Sequence, residues 1–109
     1  MPIPNNESDN GKEFFYTDAF KILVRSEKEI LLRTAQLMPI VDRAMLYAFR
    51  TDFYRVMRSM NIPAHLRWAT AFINDINDPN QDVSDLHSFM AISESDLNKA
   101  ISRSNTVKG

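Results

Sequence analysis

The chain has no cysteine and only two glycines, Gly11 and Gly109. The first absence rules out disulfides, a thiolate nucleophile and a Cys-ligated zinc site. The second leaves the span from Lys12 to Lys108 without the residue that tight hairpin turns and phosphate-cradling loops rely on, so neither a chain of β-hairpins nor a nucleotide-binding motif is expected. Long apolar runs are also missing. No stretch approaches the roughly 18 residues of a membrane span, and the opening Met-Pro-Ile-Pro-Asn-Asn-Glu-Ser-Asp-Asn-Gly-Lys lacks the basic start and apolar run of a signal peptide. A cytoplasmic location without membrane contact is the expectation.

Catalytic patterns are equally scarce. No nucleophile stands beside a base in a recognisable motif, and with two histidines a catalytic constellation has few members to draw on. Glu27 and Asp52 intrude on otherwise apolar helix faces, but the Glu-x-x-His spacing of a bundle metal site is absent. Each needs a cationic or hydrogen-bonding partner, or a place at the edge of its face. The expectation is a protein that is not an enzyme and uses no metal, cofactor or small-molecule substrate.

What is present is helical periodicity. The 109 residues, 44% of them hydrophobic, suffice for one domain that buries roughly 65% of its unfolded surface. Thr17-Asp18 offers an N-cap, and Ala19, Leu23, Ile30, Thr34 and Leu37, flanked by Phe20, Leu31 and Met38, trace one face of a helix over 17–37. Pro39 predicts a break. A second helix is predicted over 40–60, with Val41, Met45, Ala48, Phe49, Phe53, Val56, Met57 and Met60 inward. Asn61 suits the left-handed position after it, Ile62 the following hydrophobic contact, and Pro63 the start of a third helix over 63–76 with Leu66, Ala69, Phe72, Ile73 and Ile76 inward. Asn77-Asp-Pro-Asn-Gln-Asp82 reads as a loop, followed by short helices over 83–91 and 94–102 behind the capping patterns Asp82-Val-Ser-Asp85 and Ser93-Glu-Ser-Asp96. The predicted fold is therefore all-α: a single-domain bundle of about five helices over 13–103, with a disordered arm at 1–12 and a flexible tail at 104–109.

Charge is unevenly spread. Residues 17–67 hold nine Lys/Arg against five Asp/Glu, a balance of +4, whereas 68–109 hold three against six, a balance of −3. The middle helices would steer an anionic partner towards one face. On a continuous helix Arg43, Tyr47, Arg50, Tyr54 and Arg58 form a stripe opposite the apolar face, with the composition of a protein or nucleic-acid contact surface. Phe14-Phe15-Tyr16 is too apolar to stay in water, and it packs either on its own bundle or on a partner.

Residues 86–101 resemble a helix-turn-helix, with Leu86, Met90, Ile92, Leu97 and either Ala100 or Ile101 at the inward positions and Asn98, Lys99 and Arg103 as the residues that would touch DNA. The span departs from that pattern at His87 and Ala91. Its second helix opens with Ser-Glu-Ser-Asp, and residues 82–103 carry a balance of −2. The leading expectation is a non-enzymatic interaction module, an adaptor or accessory subunit that binds another protein or a second copy of itself through the Arg/Tyr stripe and Phe14-Phe15-Tyr16. A DNA-binding regulator using 82–103 is the alternative.

Overall fold

Side-chain caps decide where most of the helices begin. The computed structural model describes residues 12–108, so all but Lys12 of the predicted arm lies outside the described residues. A single 3-10 turn, Glu13–Tyr16, leads into α1 (Asp18–Ser26), where the Thr17 hydroxyl oxygen accepts the Phe20 N–H at 3.1 Å. α2 (Lys28–Thr34) continues α1 with a bend at Glu27. The α-helical bonds from Glu27 N–H to Leu23 and from Leu31 N–H to Glu27 persist, but Ser26 Oγ also donates to Leu23 O at 2.9 Å, a back-bond that bends helices. The single helix predicted over 17–37 is therefore two shorter ones, and their buried face is Phe20, Leu23, Val24 and Leu31, with Ala19, Thr34 and Leu37 exposed.

The helix predicted over 40–60 is also two. α3 (Arg43–Ala48) starts at Asp42, whose carboxylate accepts the Met45 N–H at 3.0 Å, and α4 (Phe53–Ser59) starts at Asp52, whose carboxylate accepts the Arg55 N–H at 3.2 Å. Asp52 is thus a cap at a helix boundary rather than a carboxylate intruding on a buried face. The turn between the helices trades backbone bonds with the 77–86 loop: Phe53 N–H donates to Pro79 O and Val83 N–H to Arg50 O, at 2.9 and 2.8 Å. Val41, expected inward, is 84% exposed.

α5 (Ala64–Ile73) follows the sequence reading closely. Asn61 has φ 69°, Ile62 N–H donates to Met57 O and Asn61 N–H to Arg58 O, which together make the Schellman closure of α4. The same closure recurs after α5, where Asp75 (φ 62°) takes the left-handed position and Ile76 N–H donates to Ala71 O. Leu66, Ala69, Ile73 and Ile76 are buried, and Phe72 is partly so.

A two-stranded sheet makes the protein predominantly helical rather than all-α. β1 (Gln36–Pro39) pairs antiparallel with β2 (Ser88–Ala91), Gln36 opposite Ala91 and Pro39 opposite Ser88. Because Ile40 N–H donates to His87 O, the Pro39–Ser88 pair falls at a non-hydrogen-bonded position, where proline's missing donor costs nothing. The outer edge of β2 is closed by a side chain. Asn74 Oδ1 accepts Met90 N–H at 2.8 Å, and Asn74 Nδ2 donates to Met90 O at 2.8 Å, as a third strand would. The helix predicted over 83–91 is this strand plus a turn in which Asp82 Oδ1 accepts the Ser84 N–H. α6 (Glu94–Lys108) is capped by Ser93 and runs past the boundary predicted near 102.

The core is one cluster. Phe20, Phe53, Phe89, Leu31, Leu46 and Leu97 are fully buried in it, each apolar side chain contributing roughly 2–3 kcal/mol. α1 and α2 pack on α6, α2 and α4 pack on α5, and β2 lies against α5. Phe15 seals one end, edge-on to Phe20 and His65 at 5.1 and 4.9 Å between ring centres. Among the described residues no helix is long and apolar enough to cross a membrane.

Candidate functional site

The break at 49–52 divides the predicted stripe into two groups with different surroundings. On α3 and the turn after it, the guanidiniums are committed to their own chain. Arg43 donates to Leu86 O at 2.8 Å, Ser84 O at 3.2 Å and Ile40 O at 3.4 Å, which ties down the 84–86 loop. Arg50 lies over the Tyr47 ring at 4.1 Å, donates to Tyr47 O at 2.8 Å and stands 3.9 Å from the Asp82 carboxylate. Ser84's side-chain and backbone hydrogen bonds hold Asp82 below the ordinary carboxylate range, with Arg50's charge adding to them. Tyr47 itself is 61% exposed.

On α4 the other two stripe residues meet cations and aromatics from α1, α2 and α5. Tyr54 is half-buried against the core, and burial raises its phenol pKa above the ordinary tyrosine range. It lines two adjoining clefts. One, of about 570 Å³, is walled by Arg25, Trp68, Phe72, Ile76 and Pro79; the other, of about 300 Å³, by Asp52, Arg55, Arg58 and Arg67. Trp68 and Phe72, one turn apart on α5, stack at 5.3 Å and 11°. Lys21 and Arg25 lie over Trp68 at 5.4 and 5.9 Å, and Lys28 lies over Phe72 at 5.1 Å while donating to Asp75 at 2.7 Å. Six cations thus share one face with two stacked rings and Tyr54.

Sequence reasoning singled out Tyr54 and Arg58 here but not Lys21, Arg25, Arg67 or Trp68. A usable signal was present in the +4 balance of residues 17–67, which ends at Arg67 beside the chain's one tryptophan.

The remaining predicted positions lie elsewhere. Phe14 and Tyr16 are half-exposed around the buried Phe15. Asn98, Lys99 and Arg103 share one side of α6, along a 720 Å³ hollow lined by that helix alone. Arg103 is committed to Glu27, donating to Oε1 through Nη2 at 2.6 Å and Nε at 3.1 Å, which supplies the partner that Glu27 needed. The first helix of the proposed helix-turn-helix is absent, since Ser88–Ala91 is a strand. Among the described residues no three potential metal ligands gather.

A smaller polar cluster closes the Phe15 end. Glu94 accepts from Lys12 Nζ at 2.5 Å through Oε2, and its Oε1 lies 2.8 Å from Nε2 of the buried His65. The hydrogen bond from Lys12, then that from His65, holds the Glu94 carboxyl below the ordinary range.

No protein-family model, no curated protein and no solved structure matches this chain.

Proposed function

We propose that this chain is a small non-enzymatic interaction module, an adaptor or accessory subunit, that holds an acidic segment of a partner protein on the face around Tyr54 and Trp68. The observation that carries the reading is the convergence of Arg25, Arg55, Arg58 and Arg67 on two clefts that share Tyr54, with Lys21 over the Trp68 ring that walls one of them. Gathering like charges on one face favours an anionic partner electrostatically and speeds its encounter. The apolar walls supplied by Trp68, Phe72, Ile76 and Pro79 give such a segment something to bury.

A protein segment suits this face better than a nucleic acid. Trp68 and Phe72 have π surface already engaged by each other and by Lys21, Arg25 and Lys28, so the face offers cations and ring edges more than an open platform for bases. The overall net charge of −1 points the same way.

The test is fluorescence anisotropy with a short labelled peptide of alternating Glu and Gly, set beside labelled oligothymidylate. The reading expects saturable peptide binding that weakens as salt rises and falls by about tenfold or more when Arg25 and Arg58 are both alanine. Tighter binding of the oligonucleotide would replace the reading with a single-strand-binding role, and binding of neither would remove it.

A further inference from the structure

The two clefts differ in how their charge is arranged. Lys21, Arg25 and Lys28 are strung along α1 and α2 above the Trp68 and Phe72 rings, a spread that matches single carboxylates. Arg55, Arg58 and Arg67 instead line one cleft of about 300 Å³ whose one acid among the described residues is Asp52, and that carboxylate already serves as the α4 cap. Three arginines thus line a space large enough for one small anion.

Two of the three guanidiniums are held in place. Arg67 Nε donates to Ile62 O at 2.9 Å, and Arg55 lies over the Phe49 ring at 4.9 Å. Holding the planar forks in advance lowers the entropy lost when they close on a ligand. The Arg58 side chain is exposed and makes no hydrogen bond or ion pair among the described residues. Tyr54 lines the same cleft with a phenol able to donate, its pKa pushed further up by burial.

From this arrangement we infer that the Arg55/Arg58/Arg67 cleft is a subsite for the phosphate monoester of a phosphorylated side chain, carried on the acidic partner segment. The inference rests on the reading of the face given above and names the partner's chemistry. A phosphate monoester brings nearly two negative charges and three acceptor oxygens to one point, which is what three arginine forks around one cleft satisfy. A phosphodiester backbone spreads one charge per nucleotide and calls for a track of cations.

The experiment titrates the intact chain with labelled Glu/Gly peptides that differ only at a central position: serine, glutamate, phosphoserine or phosphotyrosine. Oligothymidylate runs alongside, with inorganic phosphate as competitor. The inference expects a phosphorylated peptide to bind about tenfold or more tighter than the serine and glutamate peptides, the scale of a well-placed charge-assisted pair. The phosphoserine and phosphotyrosine arms show which side chain carries the group. Inorganic phosphate should compete for that increment and shift the Nε–H resonances of Arg55, Arg58 and Arg67 to a plateau. Arg58→Ala should keep the wild-type melt and bring the phosphopeptide affinity down close to that of the serine peptide measured on the same variant, and Arg58→Lys should restore only part of that difference.

Equal affinity for all four peptides would overturn the phosphate subsite and leave the acidic-segment reading standing. Binding of none of them would overturn both. Tighter binding of oligothymidylate than of either phosphopeptide would overturn both in favour of nucleic acid.

Discussion

Arg43 and Arg50 on one side of the 49–52 turn, and Arg55 and Arg58 on the other, look alike in sequence and do different work. Arg43 is surrounded by backbone carbonyls and holds the 84–86 loop, and Arg50 closes over Tyr47. Arg55 and Arg58 line a cleft instead, together with Arg67. Residue type therefore does not separate an arginine committed to its own chain from one that lines a cleft. The separation comes from how many of the chain's own acceptors the guanidinium meets, and that depends on where the helix breaks.

The largest effect expected is at the point where the two regions join the core. Tyr54→Ala should destabilise the protein by about 2–3 kcal/mol, because a half-buried aromatic ring is removed, and should also abolish binding of the acidic peptide. Chemical denaturation of Tyr54→Ala beside Tyr54→Phe checks this, since the phenylalanine variant keeps the ring and should lose little stability. A full loss of stability in both would mean that the hydroxyl, not the packing, is the important part.

Arg43→Ala should cost about 1–2 kcal/mol, as loop carbonyls lose a charged donor, and should leave peptide affinity unchanged. Equilibrium denaturation and the anisotropy titration read the two quantities separately. Asp52→Ala tests the break itself. Loss of the α4 cap should cost about 1 kcal/mol, without the gain that would follow if 43–59 preferred to be one continuous helix.

The smallest effect expected is a pH dependence at the Glu94 cluster. Glu94 has its folded-state pKa depressed by Lys12 and then His65, so its contribution to stability is present above the ordinary glutamate range, near pH 4.3, and is lost as pH falls through the lower folded value. Melting curves through the acid range should show wild type losing more stability than Glu94→Gln. Parallel curves would show that the cluster is not coupled to folding.

Much of the helical layout was legible because local chemistry writes it. Thr17, Asn61 and Ser93 act as caps or closures where their side chains predict, and the inward face of α5 needed nothing beyond its spacing. The 49–52 break was not legible, because the apolar and Arg/Tyr spacing runs on in near-helical register across it. Only the backbone partners on the distant 77–86 loop show where the chain turns. The strands were hidden for a related reason. Gln36-Leu-Met-Pro39 and Ser88-Phe-Met-Ala91 hold no β-branched residue, and they pair only because the helices and Asn74 bring and hold them together. Val41 at 84% and Leu37 at 65% exposure show the same limit, since an apolar residue at helical spacing is buried only if something covers it. The proposed binding face draws on α1, α2, α4 and α5, so no single stretch of sequence contained it.

The central claim is that the cleft face around Tyr54 and Trp68, and not the Arg43/Tyr47/Arg50 side, carries the interaction. Its most direct test is anisotropy titration of the Glu/Gly peptide against two double variants, Arg25→Ala with Arg58→Ala and Tyr47→Ala with Arg50→Ala, each first shown to melt as a folded protein. The account predicts that the first pair weakens binding by about tenfold or more and that the second stays within about twofold of wild type. The reverse ranking, with the Tyr47/Arg50 pair losing affinity and the Arg25/Arg58 pair keeping it, would contradict it.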